Sequence, residues 1–312
     1  MLDRYIDPLP RLKTLTPDES HAQRDHYRVP MTEVLQQLHS QLPPTRLWGY
    51  AGVYPGPVFE ARSGKTIEVI WENRLPKRHL FSVDSHIHGA MAPAPQVRTV
   101  PHLHGARTAS ASDGLPEKWF VHGHSARYEY PNAQRAATLW YHDHAVGITR
   151  LNVYAGLSGL YLLRDHEELQ MNLPAGEYEI PLVLQDRTLD DHGQLFYAPT
   201  MDDGRALPPG VWGPMFFGAI PVVNGAIYPY VEVRPQLYRL RLLNSSNSRF
   251  FNLYLNLAKH PTDIPRIVKV VQIGSDGGLM PKPVSLEKLM LGPGERADLI
   301  VDFSNLTGKT VT

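Results

Sequence analysis

Hydrophobic positions along most of this chain alternate with polar ones or run in short blocks between turn formers. In KTIEVIWEN (65–73), Ile67, Val69 and Trp71 fall on one face and Thr66, Glu68 and Ile70 on the other, the period of two expected of a strand. PQVRTVPHLHG (95–105), RAATLWYHDH (135–144) and GLSGLYLLRD (156–165) read as further strands, separated by clusters of Gly, Pro, Ser and Asn. Strand patterns resume at IPLVLQDRTL (180–189), YVEVRP (230–235), LYRLRLLNSS (237–246), FNLYLNL (251–257), RIVKVVQIGSDG (266–277), EKLMLGPGE (287–295) and RADLIVDFS (296–304). The texture is that of an all-β protein with two sandwich or barrel domains. Residues 1–45 read as an irregular leader. Within it Val34, Leu35, Leu38 and Leu42 of TEVLQQLHSQL have helical spacing and predict one short helix. The expected organisation is therefore a leader over 1–45, a first domain over 46–166, a polar linker over 167–178 and a second domain over 179–312.

Composition narrows the function. The 312 residues carry 31 basic and 31 acidic side chains, so there is no basic excess to neutralise phosphates and no nucleic-acid footprint is expected. No run approaches the ~20 apolar residues of a membrane helix. The N-terminus lacks an apolar signal region and a twin arginine, which predicts no secretory signal. Cysteine is absent, which excludes disulfides, thiolate catalysis and any thiolate metal ligand from these residues. Histidine is the conspicuous residue, with 15 copies.

Eight of those histidines form four His-x-His pairs: His86/His88, His102/His104, His122/His124 and His142/His144. On a strand, residues two apart share a face with Cα atoms ~6.5–7 Å apart, so each pair could present two imidazoles to a metal. Imidazole suits copper, zinc, iron and nickel alike, and the spacing does not name the ion. His102 and His104 follow Val100 and flank Leu103; His142 and His144 follow the apolar run Leu139, Trp140, Tyr141. These two pairs are the expected ligands, because a packed strand can hold them rigidly. The other two pairs sit in Gly-containing loop sequence and are expected to be exposed. A cupin also uses His-x-His, with a glutamate close behind, but no acidic residue follows His104 in GARTASAS. His21, His26, His39, His79, His192 and His260 lie in polar or irregular context and receive no role. Trp140 and Tyr141 are expected to pack in a core, and Asp143, pointing to the face opposite its histidine neighbours, to make a structural hydrogen bond.

The flanking motifs carry a resemblance. LPPTRLWGYAGVYPGPVFEARSGKTIEVIWENRLP, HLHGARTASASDG and YPNAQRAATLWYHDHAVGITRLNVYAGLSGLYLLRD, followed by PLVLQDRTLDDHGQLFY, VNGAIYPYVEVRPQLYRLRLLNSSNSRFFNLYL and QIGSDGGLMPKPVSLEKLMLGPGERADLIVDFS, resemble in order the first two cupredoxin domains of multicopper oxidases. The branch most similar comprises spore-coat laccases, bilirubin oxidases and phenoxazinone synthases. The resemblance implies two Greek-key cupredoxin β-sandwiches and a trinuclear copper cluster completed by a third domain, in cis or in trans, that also carries a cysteine-bound blue copper. It implies that His102 binds the type 2 copper and that His104, His142 and His144 bind the type 3 pair. It places Asp113 near the type 2 copper, where it can assist proton delivery; from the residues alone, Asp113-Gly114 is a turn. The implied activity couples one-electron oxidation of phenolic or related substrates to four-electron reduction of dioxygen to water, in the cytoplasm or a spore coat. The competing reading is a non-catalytic copper-binding or scaffold module without the blue-copper domain. Either way, copper binding is expected to weaken as pH falls toward and below ~6.5, the ordinary imidazole pKa.

Overall fold

The computed structural model describes residues 2–197, 205–208, 210–257 and 266–312; His260 lies outside them. The regular structure among the described residues is mainly strand, and the α-helices are short, Thr149–Ala155 and His166–Gln170. Among them no helix is long and apolar enough to cross a membrane.

The alternation in KTIEVIWEN predicts the strand that forms. Ile67, Val69 and Trp71 are 1%, 0% and 1% exposed on the strand Thr66–Asn73. That strand lies between Arg24–Gln36 and Ser125–Tyr130 in a five-stranded sheet. A four-stranded sheet packs against it in the order Gly56–Arg62, Ser158–Arg164, Ala137–Asp143, Pro101–His104. Phe59, Leu103, Leu139, Tyr141 and Tyr161 of this second sheet close one core with Val29, Met31, Trp48 and Trp71 of the first. The other half of the chain builds a seven-stranded sheet around Glu179–Arg187, Leu237–Asn244 and Arg296–Asp302, with its own core of Leu242, Leu291, Ala297, Leu299 and Val301. The all-β expectation of two sandwiches holds.

Three local expectations do not. The supposed leader contains a 13-residue strand, Arg24–Gln36, and the helix expected over 32–42 is absent. Asp25, Tyr27, Val29 and Met31 alternate inward and fix strand geometry before the leucines begin. That strand pairs in parallel with Thr66–Asn73 and antiparallel with Thr45–Tyr50. Of the four residues with helical spacing, Leu38 joins a core with Val34 and Leu42 against it, but Leu35 is 72% exposed. YVEVRP is likewise no strand. Its two valines precede Pro235, which has no N–H to offer a ladder. The polar segment after the first sandwich contains the helix His166–Gln170, capped by the Asp165 carboxylate accepting from the Glu168 N–H at 2.8 Å.

The outer face of the four-stranded sheet packs on the second sandwich, where Val58, Trp140, Leu160 and Leu162 meet Val183 and Leu243. Beside this apolar patch lies a buried ion network. The Arg241 guanidinium pairs with Glu168, with Glu179 at 2.5 Å, and donates to Thr138 Oγ1 at 3.0 Å. Arg239 pairs with Glu168 at 2.7 Å and with Asp298, and Arg164 reaches Glu179 at 2.7 and 2.8 Å. These cations hold the Glu179 carboxyl down at about 2 against the opposing effect of burial. An N-terminal strap crosses both sandwiches. Tyr5 and Leu9 N–H groups donate to Tyr228 O and Tyr230 O at 2.9 and 2.6 Å, while Lys13 O and Leu15 N–H pair with Val58.

Candidate metal centre

The two favoured histidine pairs meet because their strands pair. Pro101–His104 and Ala137–Asp143 are antiparallel neighbours, with His102 opposite His142 and His104 opposite Trp140. Strand alternation turns Leu103, Leu139 and Tyr141 into the first core and the histidines to the other face. His144 lies one residue past its strand, and its N–H still bonds Val100 O at 2.9 Å, which continues the ladder. The four rings converge: centroids are 4.6 Å apart for His102 and His144, 5.5 Å for His102 and His142, 5.6 Å for His104 and His142, and 5.7 Å for His142 and His144.

Backbone carbonyls fix how the rings point. The Nδ1–H groups of His102, His142 and His144 donate to Asp113 O, Asp143 O and Gly114 O at 2.5, 2.7 and 2.9 Å. That assigns the tautomer and leaves each Nε2 as the lone-pair donor, the usual outer support of a ligating histidine. His104 presents the other nitrogen, with Nδ1 3.3 Å from His142 Nε2. Two nitrogens each ~2.0–2.1 Å from one ion lie about 3 Å apart when their bonds are near a right angle. Nitrogens of His102, His104 and His142 all fall within 4.8 Å of one another. The donor set is all imidazole, which fits copper as well as zinc or nickel.

Burial favours the neutral form of three of these rings, His102, His104 and His142. Desolvation pushes His142 well below the ordinary imidazole range, with its three histidine neighbours adding to the effect. His104 is held at about 4, first by burial and then by the Arg296 guanidinium. His102 is lowered by burial and by His144, against the Asp113 carbonyl. A neutral imidazole is the form that ligates.

Asp113 lies beside His102 with its carboxylate Oδ1 3.5 Å from Nδ1, and its side chain is 35% exposed. His86, His88, His122 and His124 are exposed loop residues, and His122 Nδ1 is engaged by Leu75 O at 2.6 Å. Trp140 is buried as expected, but it also packs on two of the converging histidine rings, 4.1 Å from His142 and 5.2 Å from His104 between centroids.

The second sandwich contributes residues that sequence reading missed. A β-carbon on Gly294 would lie 3.5 Å from Trp140 Cζ2 and 4.0 Å from His104 Cε1. Arg296, its side chain 3% exposed, donates from Nε to Thr138 O at 3.0 Å and pairs with Asp276 at 3.1 Å. These positions are more than 150 residues from the histidines they border, and no local pattern marks them. His79, given no role from sequence, is buried against Trp48 at 4.5 Å between centroids.

Comparison with known proteins places the arrangement. The multicopper oxidase family model matches residues 94–168, the segment holding all four converging histidines. The chain is 42% identical to a laccase of Bacillus subtilis (strain 168), over 99% of this chain and 61% of the relative. It is 40% identical to a laccase of Haloferax volcanii, over 100% of this chain and 55% of the relative. The fold superposes on the crystal structure of a laccase from Pediococcus acidilactici with TM-score 0.77 and 29% identity, covering 97% of this chain and 58% of that one. McoA multicopper oxidase from Aquifex aeolicus gives 0.76 and 26%, covering 99% and 60%. The chain thus spans about three fifths of the length of the relatives it matches.

Proposed function

Because the chain belongs to the multicopper oxidase family, we propose that it forms the two cupredoxin sandwiches of a laccase-like oxidase that oxidises phenolic or related substrates by single electrons and reduces dioxygen to water. The observation that carries this reading is the convergence of four imidazoles, three of them with Nδ1 tied to backbone carbonyls. His102 would hold a type 2 copper, and His104, His142 and His144 a type 3 pair. Bound copper would supply the electron transfer to dioxygen. The protein's own contribution is positioning: two paired strands set the facing of the rings, and burial favours the unprotonated form of His102, His104 and His142. Asp113, part-exposed beside His102, is suited to pass a proton between solvent and the centre.

Four imidazoles cannot furnish two or three ligands to each of three coppers, and no cysteine is present to make a blue site. The remaining ligands then come from outside residues 1–312, in the same polypeptide or in a partner. The test is an oxygen-electrode assay with a phenolic substrate and added copper. Residues 1–312 alone are expected to consume no oxygen, and a cupredoxin domain carrying a His-Cys-His segment, added in cis or in trans, is expected to restore turnover. Turnover by residues 1–312 alone overturns the reading. Copper binding that never yields turnover with such a domain supports a non-catalytic copper-binding module instead.

A second expectation concerns pH. Sequence alone sets the onset of proton competition near 6.5; burial moves it down. Burial holds His104 at about 4 and pushes His142 well below the ordinary imidazole range, so these two rings stay neutral as pH falls through that range. Copper affinity is expected to fall steeply as pH approaches 4, where His104 takes up its proton. A calorimetric titration series checks this, and affinity that stays constant below pH 4 contradicts histidine ligation.

A further inference from the structure

We propose that Asp143 is the positioning residue that locks the two histidine pairs to each other from behind. Inward positions on these strands are apolar, as Leu103, Leu139 and Tyr141 show; Asp143 is a carboxylate on the same face, and it is fully buried. A buried carboxylate is costly unless its oxygens are satisfied, and here each takes two donors. Oδ2 accepts from Thr99 Oγ1 at 2.6 Å and from the Val100 N–H at 3.0 Å. Oδ1 accepts from the Ala145 N–H at 3.0 Å and from Asn152 Nδ2 at 2.8 Å.

The identity of the donors gives the role. Thr99 and Val100 lead directly into the strand bearing His102 and His104. Ala145 follows His144. One carboxylate therefore ties the entry of one ligand strand to the exit of the other, at the point where β pairing ends. The main chain of the same residue also orients a ring, since Asp143 O accepts the His142 Nδ1–H. The carboxylate is in turn shored by a buried chain of amide and imidazole. Asn152 Nδ2 also donates to Arg98 O at 2.9 Å, and its Oδ1 lies 3.0 Å from His79 Nε2. The Phe81 N–H donates to His79 Nδ1 at 3.0 Å, which leaves the imidazole hydrogen on Nε2, directed at Asn152. A network with every member satisfied admits one arrangement, and outer-sphere partners of metal histidines typically shift affinity 10–100-fold when removed.

The inference rests on the proposed copper ligands, so the full chain is titrated first with copper(II) alone. In Asp143→Asn the amide hydrogens face donors, and the clamp is broken without loss of volume. The expected result is a loss of about tenfold or more in copper affinity, with an altered nitrogen hyperfine pattern in the electron paramagnetic resonance spectrum. Leu163→Ala, at a core position 0% exposed and toward the far end of the neighbouring strand, serves as the control. It should lower the melting temperature while keeping affinity within about twofold. Thr99→Val removes one donor and should weaken binding, with Thr99→Ser restoring it, which keeps the test open if Asp143→Asn does not fold. Unchanged affinity and spectrum in folded Asp143→Asn or in Thr99→Val overturn the proposal while leaving the ligands intact. Equal loss in Leu163→Ala overturns it too. Absence of copper binding in the unsubstituted chain overturns the ligand reading and this inference with it.

Discussion

Replacing His142 and His144 together by alanine is expected to abolish copper binding, whereas the same change at His122 and His124 leaves it intact. All four residues have identical spacing, so the contrast isolates position. His142 is buried at the middle of the ring cluster, within 5.5–5.7 Å of the other three centroids; without it and His144 only His102 and His104 remain, on one strand and 5.7 Å apart. Two neutral imidazoles on a single strand retain no facing partner, and the loss should exceed the 10–100-fold typical of outer-sphere changes. His122 and His124 lie on an exposed turn where one nitrogen is already held by Leu75 O. Isothermal titration with copper on both double variants checks the pair. Equal losses, or a retained site in the first variant, contradict the ligand assignment.

The largest effect on stability is expected at Glu168. Glu168→Ala removes the carboxylate shared by Arg239 and Arg241, whose side chains are 3% and 1% exposed. Arg241 keeps Glu179 and Arg239 keeps Asp298, but three guanidiniums, with Arg164, then share two buried carboxylates. Breaking a buried pair from one side destabilises by about 3–5 kcal/mol, because the remaining charge is uncompensated. Glu167→Ala, one residue earlier, breaks only the exposed pair with Arg135, whose side chains are 67% and 70% exposed, and should cost about 1 kcal/mol or less. Urea unfolding of the two variants separates these values. Comparable midpoints for both would mean that the network contributes nothing beyond surface charge.

Much of this was legible from local pattern. Ile67, Val69 and Trp71 predicted their strand because one residue in two faces a core, and the histidine pairs preceded or followed by Val100 and Leu139 to Tyr141 were separated from those in Gly-containing loops on the same ground. The strand Arg24–Gln36 was missed because its inward row begins with a charged residue, Asp25, held by Lys65 at 2.6 Å, and because Pro30 interrupts it. The leucines that mimicked a helix are divided between core and solvent, a choice made by tertiary packing. The supports of the histidine cluster were illegible for a different reason. Gly294, Arg296 and Asp276 reach it only when the second sandwich docks, and His79 and Asn152 meet across 73 residues. Contacts of that separation leave no periodicity to read.

The strap formed by the first residues has a consequence for synthesis. Tyr5 and Leu9 hydrogen-bond to Tyr228 and Tyr230, partners that leave the ribosome about 220 residues later. At translation rates of roughly 5–20 residues per second, the N-terminal segment waits on the order of 10–40 s with half of its docking site not yet made. The first sandwich can close its own core in that interval, since all of its strands precede the second. The strap can seat fully only afterwards, across both bodies at once, and a nascent chain whose second sandwich misfolds leaves the Tyr5 and Leu9 N–H groups without these partners.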